Sequence, residues 1–238
     1  MNRMRKIQGA QFLVILLCAL ALKLHYATAS ADQLRWILGP TTALVELFSG
    51  NSFQFESYAG YMSSNHRFLI ATSCAGVNFM ITAFLMLALR ALLKDRSSVL
   101  RWRFIPLYAG LAYITTIIAN TLRICVALWL QNVSAGVRWL SWSELHRIEG
   151  IVVYFGFLLL LFVLTEKDRP QGSTGFVRKM GFTLLVYYSM TLIMPLLNGS
   201  YHDRGFLEHS VVVLILPLIM VGALVALRLL WPRLRLSP

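Results

Sequence analysis

Six stretches of this chain, at about residues 8–27, 68–93, 104–130, 148–165, 180–198 and 209–230, are apolar for long enough to cross a bilayer. A hydrocarbon layer of roughly 30 Å takes about 20 residues of helix, and inside it each segment must satisfy its own backbone hydrogen bonds. The predicted fold class is therefore all-α: a polytopic membrane helical bundle of about six transmembrane helices. The whole chain, 1–238, reads as one integral membrane domain. Composition agrees, with 58% hydrophobic residues, 13% charged residues and a mean hydropathy of +0.66, far from an ordinary soluble domain. The first run has a second reading. "MNRMRK", an apolar stretch at 12–22 and Ala27-Thr28-Ala29 also resemble a secretory signal with a small-residue cleavage site. Both readings send residue 30 outward.

A net charge of +12 would suggest nucleic acid in a soluble chain, but its distribution suggests membrane topology. With the N-terminus inside, the inner segments hold 15 of the 22 Lys and Arg residues, the outer side six, and Arg123 alone falls within a span. Basic residues gather in cytoplasmic loops, so the expected location is a bacterial cytoplasmic (inner) membrane, with membrane lipid as a partner and no nucleic acid. The longest outer segment, about 30–67, is too polar and interrupted to span, and Gly39-Pro40 is expected to break its first part. An interfacial or re-entrant helix followed by an aromatic cap fits it best.

Three residues invite chemistry. Cys74, in "ATSCAGVNFMITAFL", is expected about six residues into the second span from its outer end. There Asn78 would share its face, and Gly76 would let another backbone approach. Arg123 lies at similar depth in the third span, with Asn120 at i−3. His146 opens the fourth, with Glu149 and Gly150 on the following turn. Singly, a membrane cysteine is a packing residue, and an arginine or histidine near a boundary reaches for the interface; Cys18 and Cys125 are read as packing residues. Jointly, a thiol, a cation and an imidazole from three spans at one depth form a different proposition. A thiolate is favoured by a neighbouring cation, a guanidinium stays charged, and an imidazole supplies a proton to a departing amine. No Cys/His spacing suggests a metal, and no metal or cofactor is expected.

In order along the chain, "SCAGVNF", "ANTLRI" and "HRIEGIVVYF" resemble the exosortase/archaeosortase family, and the "CAGVNF" form is most similar to its exosortase K branch. The resemblance covers roughly residues 55–165 and implies a catalytic core there, with two further helices at 178–230. It implies a membrane cysteine transpeptidase that cleaves C-terminal sorting signals of exported proteins outside the membrane through a thioester. Cys74 would be the nucleophile, with Arg123 and His146 its catalytic partners and Asn78, Asn120, Glu149 and Glu56 supporting or binding substrate. The implied partners are exported proteins ending in a membrane helix and a basic tail. Ala75 stands where many members have Ser. An alternative from another class is a small transporter in which Arg123 binds an anion and His146 moves protons; against it, the inner halves of the spans are almost entirely apolar. A serine protease lacks its motif. A polar cluster at His202, Asp203, Arg204, Glu208 and His209 reads as a solvated loop.

Overall fold

The computed structural model describes residues 2–94, 102–133, 142–165, 172–197 and 205–234. Its elements are α1 (Asn2–Thr28), α2 (Arg35–Ser49), β1 (Phe53–Glu56), β2 (Gly60–Ser63), β3 (Leu69–Ala71), α3 (Val77–Lys94), α4 (Phe104–Val133), α5 (Trp142–Thr165), α6 (Gly172–Tyr188), α7 (Met194–Leu197) and α8 (Phe206–Leu234). Among the described residues six helical segments are long and apolar enough to cross a membrane, so the chain is a multi-pass helical membrane protein as its hydropathy predicts. The chain divides into two compact units, Met1–Ser141 and Trp142–Pro238.

In the first unit α1 packs on α3, α3 on α4, and α2 on α4. The core of α3 is dense, with Val77, Ile81, Ala83, Met86 and Ala88 all buried. By contrast α1 turns Leu13, Leu17, Leu20 and Leu24 outward, as a helix at the lipid boundary does, since lipid tails are as apolar as Leu.

The segment at 30–67 departs from expectation first at its proline. Gly39-Pro40 does not break the helix; α2 runs through it, with Pro40 inside. Proline has no N–H for the carbonyl four residues back, which is that of Trp36. The Tyr113 hydroxyl of α4 donates to that carbonyl instead, at 2.6 Å, and the Trp36 and Tyr113 rings stack at 5.7 Å. A side chain from another helix thus replaces the missing rung and ties α2 along α4.

The aromatic stretch after α2 is a three-stranded antiparallel sheet in the order β1-β2-β3. The short alternation Phe53-Gln54-Phe55-Glu56 gives β1 two faces. One is fastened to α2, where Arg35 lies over the Phe55 ring at 3.7 Å and Glu46 Oε1 accepts from the Phe53 amide at 2.7 Å. Gly60, at φ 125°, sits so close to the Ile70 carbonyl that no side chain fits. It brings β2 tightly onto β3.

In the second unit α5 and α6 each pack on α8, and α5 on α6. Phe155 meets Tyr187 edge-on at 5.1 Å and Phe162 meets Phe176 at 6.4 Å. Between α6 and α7 the helix widens to a π-turn at Ser189–Ile193, just ahead of Pro195, whose ring would otherwise crowd the Thr191 carbonyl.

Candidate active site

Hydropathy reads residues 68–93 as one span, but the backbone takes three forms within it. Strand β3 ends at Ala71, a 3-10 turn carries Thr72–Ala75, and the α-helix begins only at Val77. Cys74 is therefore not six residues into a helix; it stands on the turn that precedes one. Gly76 explains the break, because its φ of 70° is the left-handed conformation that glycine adopts without the cost a Cβ would add. Its expected role in close approach gives way to this conformational one, and Cys74 and Asn78 do not share a helical face.

An irregular turn leaves backbone groups that a helix would have satisfied, and side chains from two other helices hold this one. Asn120 of α4 donates its amide to the Cys74 carbonyl. From α1, the Tyr26 hydroxyl donates to the Thr72 carbonyl at 3.3 Å, and Lys23 Nζ donates to Asn78 Oδ1 at 2.8 Å. The segment that carries Cys74 is thus fixed at its start, its middle and its end. Asn120 is fully buried and Asn78 is exposed.

Arg123 lies on α4 three residues beyond Asn120, on the same face, and is 9% exposed. The Tyr26 phenol lies within electrostatic reach of both Cys74 and Arg123. Thiol, guanidinium and phenol consequently belong to one neighbourhood, assembled from α1, the 3-10 turn and α4. Cys74 is partly accessible there. Glu56 stands exposed at the end of β1, on the rung Glu56–Gly60–Ala71, so two strand spacings of about 4.8 Å separate it from the residue that opens onto the turn.

In the second unit His146 and Glu149 occupy the first turns of α5. His146 Nδ1 is 3.3 Å from Glu149 Oε2, and the carboxylate is buried while the imidazole is partly exposed. The i, i+3 spacing brings the two groups together on one face of the helix. Of the polar cluster, Glu208 and His209 lie in the first turn of α8, and His202, Asp203 and Arg204 lie outside the described residues.

Lys23 and Tyr26 are the residues that sequence reasoning missed. In "LKLHYAT" they read only as the interfacial ending of a first span or signal, and nothing in that stretch points to residues 72–78.

The sequence model of the family described as Transmembrane exosortase matches residues 10–164. The match takes in α1 as well as the segments carrying Cys74, Arg123 and His146. No match is found among curated proteins or among solved structures.

Proposed function

Because the chain belongs to the transmembrane exosortase family, we propose that it is a cysteine transpeptidase or protease that cleaves C-terminal sorting signals of exported proteins. Cys74 is the nucleophile in this reading. Its thiolate attacks the carbonyl carbon of the scissile peptide, the C–N bond breaks, and the acyl part remains on sulfur as a thioester. The departing amine, still joined to the membrane helix and basic tail, takes a proton from His146, whose pairing with Glu149 at 3.3 Å suits an imidazole that gives and regains one. An amine or water then releases the acyl group. Arg123 stabilises the thiolate and the developing oxyanion. Within the family, the resemblance of the "CAGVNF" form supports a reading in the exosortase K branch.

The observation that carries this reading is the turn at 72–78, where the thiol stands on irregular backbone held by Asn120, Tyr26 and Lys23 within one neighbourhood of Arg123. Pre-positioning of this kind is what a nucleophile requires and a packing cysteine does not. In cells of the native host, tagged exported proteins ending in a membrane helix and basic tail are followed by gel shift. Cys74→Ala and Arg123→Ala abolish processing, Cys18→Ala and Cys125→Ala do not, and a trapped adduct on Cys74 is released by hydroxylamine as a thioester must be. Processing that persists in Cys74→Ala removes the reading.

The basic-residue split supports an inner-membrane location with the Cys74 turn facing outward. Single cysteines placed at Ser134 and Ser98, in a background lacking Cys18 and Cys125, test this with a membrane-impermeant thiol reagent. Ser134 is expected to label on intact cells and Ser98 only after lysis. The reverse pattern would put the thiol where an exported substrate cannot meet it.

A further inference from the structure

The sheet ends in an edge, and that edge leads into the candidate nucleophile. β3 pairs with β2 on one side and is the last strand in the order β1-β2-β3. Three residues after Ala71 comes Cys74, within about 10 Å even along a fully extended chain.

The register decides which backbone groups the edge presents. The Ser63 amide donates to the Phe68 carbonyl at 2.9 Å, so Ser63 and Phe68 form a hydrogen-bonded rung. Such rungs alternate in an antiparallel pair. The next bonded rung is Tyr61–Ile70, while Met62–Leu69 and Gly60–Ala71 are the unbonded ones. The N–H and C=O groups of Leu69 and Ala71 therefore point away from β2, toward the open side of the strand. Leu69 and Ala71 are half-buried, whereas Ile70 between them is fully buried.

Helix α4 touches this segment at both ends. Asn120 donates to the Cys74 carbonyl, and Gln131 Nε2 donates to the Arg67 carbonyl at 3.4 Å. Asn120, Arg123 and Gln131 fall on one stripe of α4 by their i, i+3, i+11 spacing. A chain lying beside β3 would run along that polar stripe and arrive at the thiol past the guanidinium.

We propose that the residues preceding the scissile bond bind as an extended strand added to the open edge of β3, hydrogen-bonded to the main chain of Leu69 and Ala71. This rests on the reading of Cys74 as a peptide-cleaving nucleophile and gives that site its substrate-binding mode. The ligand class is an extended peptide recognised chiefly through its backbone. The added strand runs parallel to β3. The substrate passes from its exported body toward its membrane helix, and β3 runs in the same sense, from the sheet toward α3. An antiparallel strand would carry the substrate's helix away from the helices of this unit.

The test requires no natural substrate. In purified full-length protein carrying Cys18→Ala and Cys125→Ala, the peptide Ac-Thr-Val-Thr-Val-Gly-Cys-amide and glutathione, each supplied as its symmetric disulfide, compete for exchange with the Cys74 thiol. One thiol leaves for each mixed disulfide formed, and capture is read by intact mass. The peptide is expected to win over glutathione, and N-methylation of alternate backbone amides to lower capture by about five- to tenfold in one phase and under about twofold in the other, as the net worth of one or two hydrogen bonds implies. A peptide with its cysteine at the N-terminus is expected to show no advantage. Leu69→Pro and Ala71→Pro each remove an edge donor while sparing the β2 ladder; they should abolish the peptide's advantage while glutathionylation of Cys74 proceeds as before.

Equal sensitivity in both N-methyl phases, sensitivity in neither, or equal capture of the reversed peptide would each overturn the proposal. Capture needs only the thiol and the edge, so it is independent of turnover. A phase-specific capture pattern alongside full processing in Cys74→Ala would leave the peptide site standing and remove the catalytic reading alone.

Discussion

The two compact units are held together by different kinds of contact. In Met1–Ser141 elements meet through polar side chains aimed at backbone: Tyr113 on Trp36, Tyr26 on Thr72, Asn120 on Cys74, Gln131 on Arg67, and Glu46 on the Phe53 amide. In Trp142–Pro238 they meet chiefly through rings and aliphatic side chains, with Phe155 on Tyr187, Phe162 on Phe176 and the Arg228 guanidinium over Phe176 at 4.3 Å. The cause lies in the backbone. Long helices satisfy most of their own groups and need chiefly packing, the Tyr188 hydroxyl on the Leu214 carbonyl at 2.8 Å being a polar link of the second unit. The proline within α2, the sheet and the 3-10 turn of the first unit expose more groups that something else must satisfy. Irregular backbone at membrane depth is tolerated only where protein or a wet cavity surrounds it, and the first unit concentrates it around a cysteine.

If that contrast is functional, substitutions should grade with distance from the turn. Asn120→Ala has the largest expected effect, because it leaves the Cys74 carbonyl without its donor at a cost of about 1–3 kcal/mol. Processing should fall by tenfold or more, while Thr116→Val, which removes a buried hydroxyl bonded within α4 to the Ala112 carbonyl, should change it little. Equal losses in the two variants would mean that α4 tolerates no change of any kind and would break the comparison.

Tyr26→Phe comes next. It deletes one hydroxyl with a longer bond, 3.3 Å, and a severalfold fall in turnover is expected. Alkylation of Cys74 by iodoacetamide should rise as the turn loosens, with Cys125 on α4 as the internal reference thiol. A parallel rise at Cys125 would indicate general loosening rather than a contact specific to the turn. The smallest effect belongs to the second unit: Ile219→Ala, at a site on α8 that is 60% exposed, is expected to leave processing and thermal unfolding within error. A clear loss there would show that the outer face of α8 is a working surface.

The spans were legible because hydropathy records how long a segment stays apolar, and the six helical segments follow the six runs closely. The same measure is blind to form. Residues 68–93 are apolar throughout, so strand, turn and helix look alike, and only Gly76 in the sequence marks where the helix fails to start. The sheet at 53–71 was hidden by shortness, since strands of three or four residues carry too few alternations to stand out from an aromatic cap. Asn120 and Arg123 were found together through their i, i+3 spacing. Lys23 and Tyr26 were not found because their partners lie 55 and 46 residues away, and separation of that kind leaves no local trace. Pro40 misled for the same reason, its missing bond being supplied from α4.

That substitute bond bears on the order in which the protein can be made. Trp36 and Tyr113 are 77 residues apart in the chain, so α2 leaves the ribosome well before the hydroxyl that completes it exists. Until α4 is made, the Trp36 carbonyl must take its hydrogen bond from water, since a backbone acceptor is not left unmet without cost. The hydrogen bonding of α2 is therefore completed only once α4 is in place, and the sheet fastened to it by Arg35 and Glu46 gains its final support at that late stage of biogenesis.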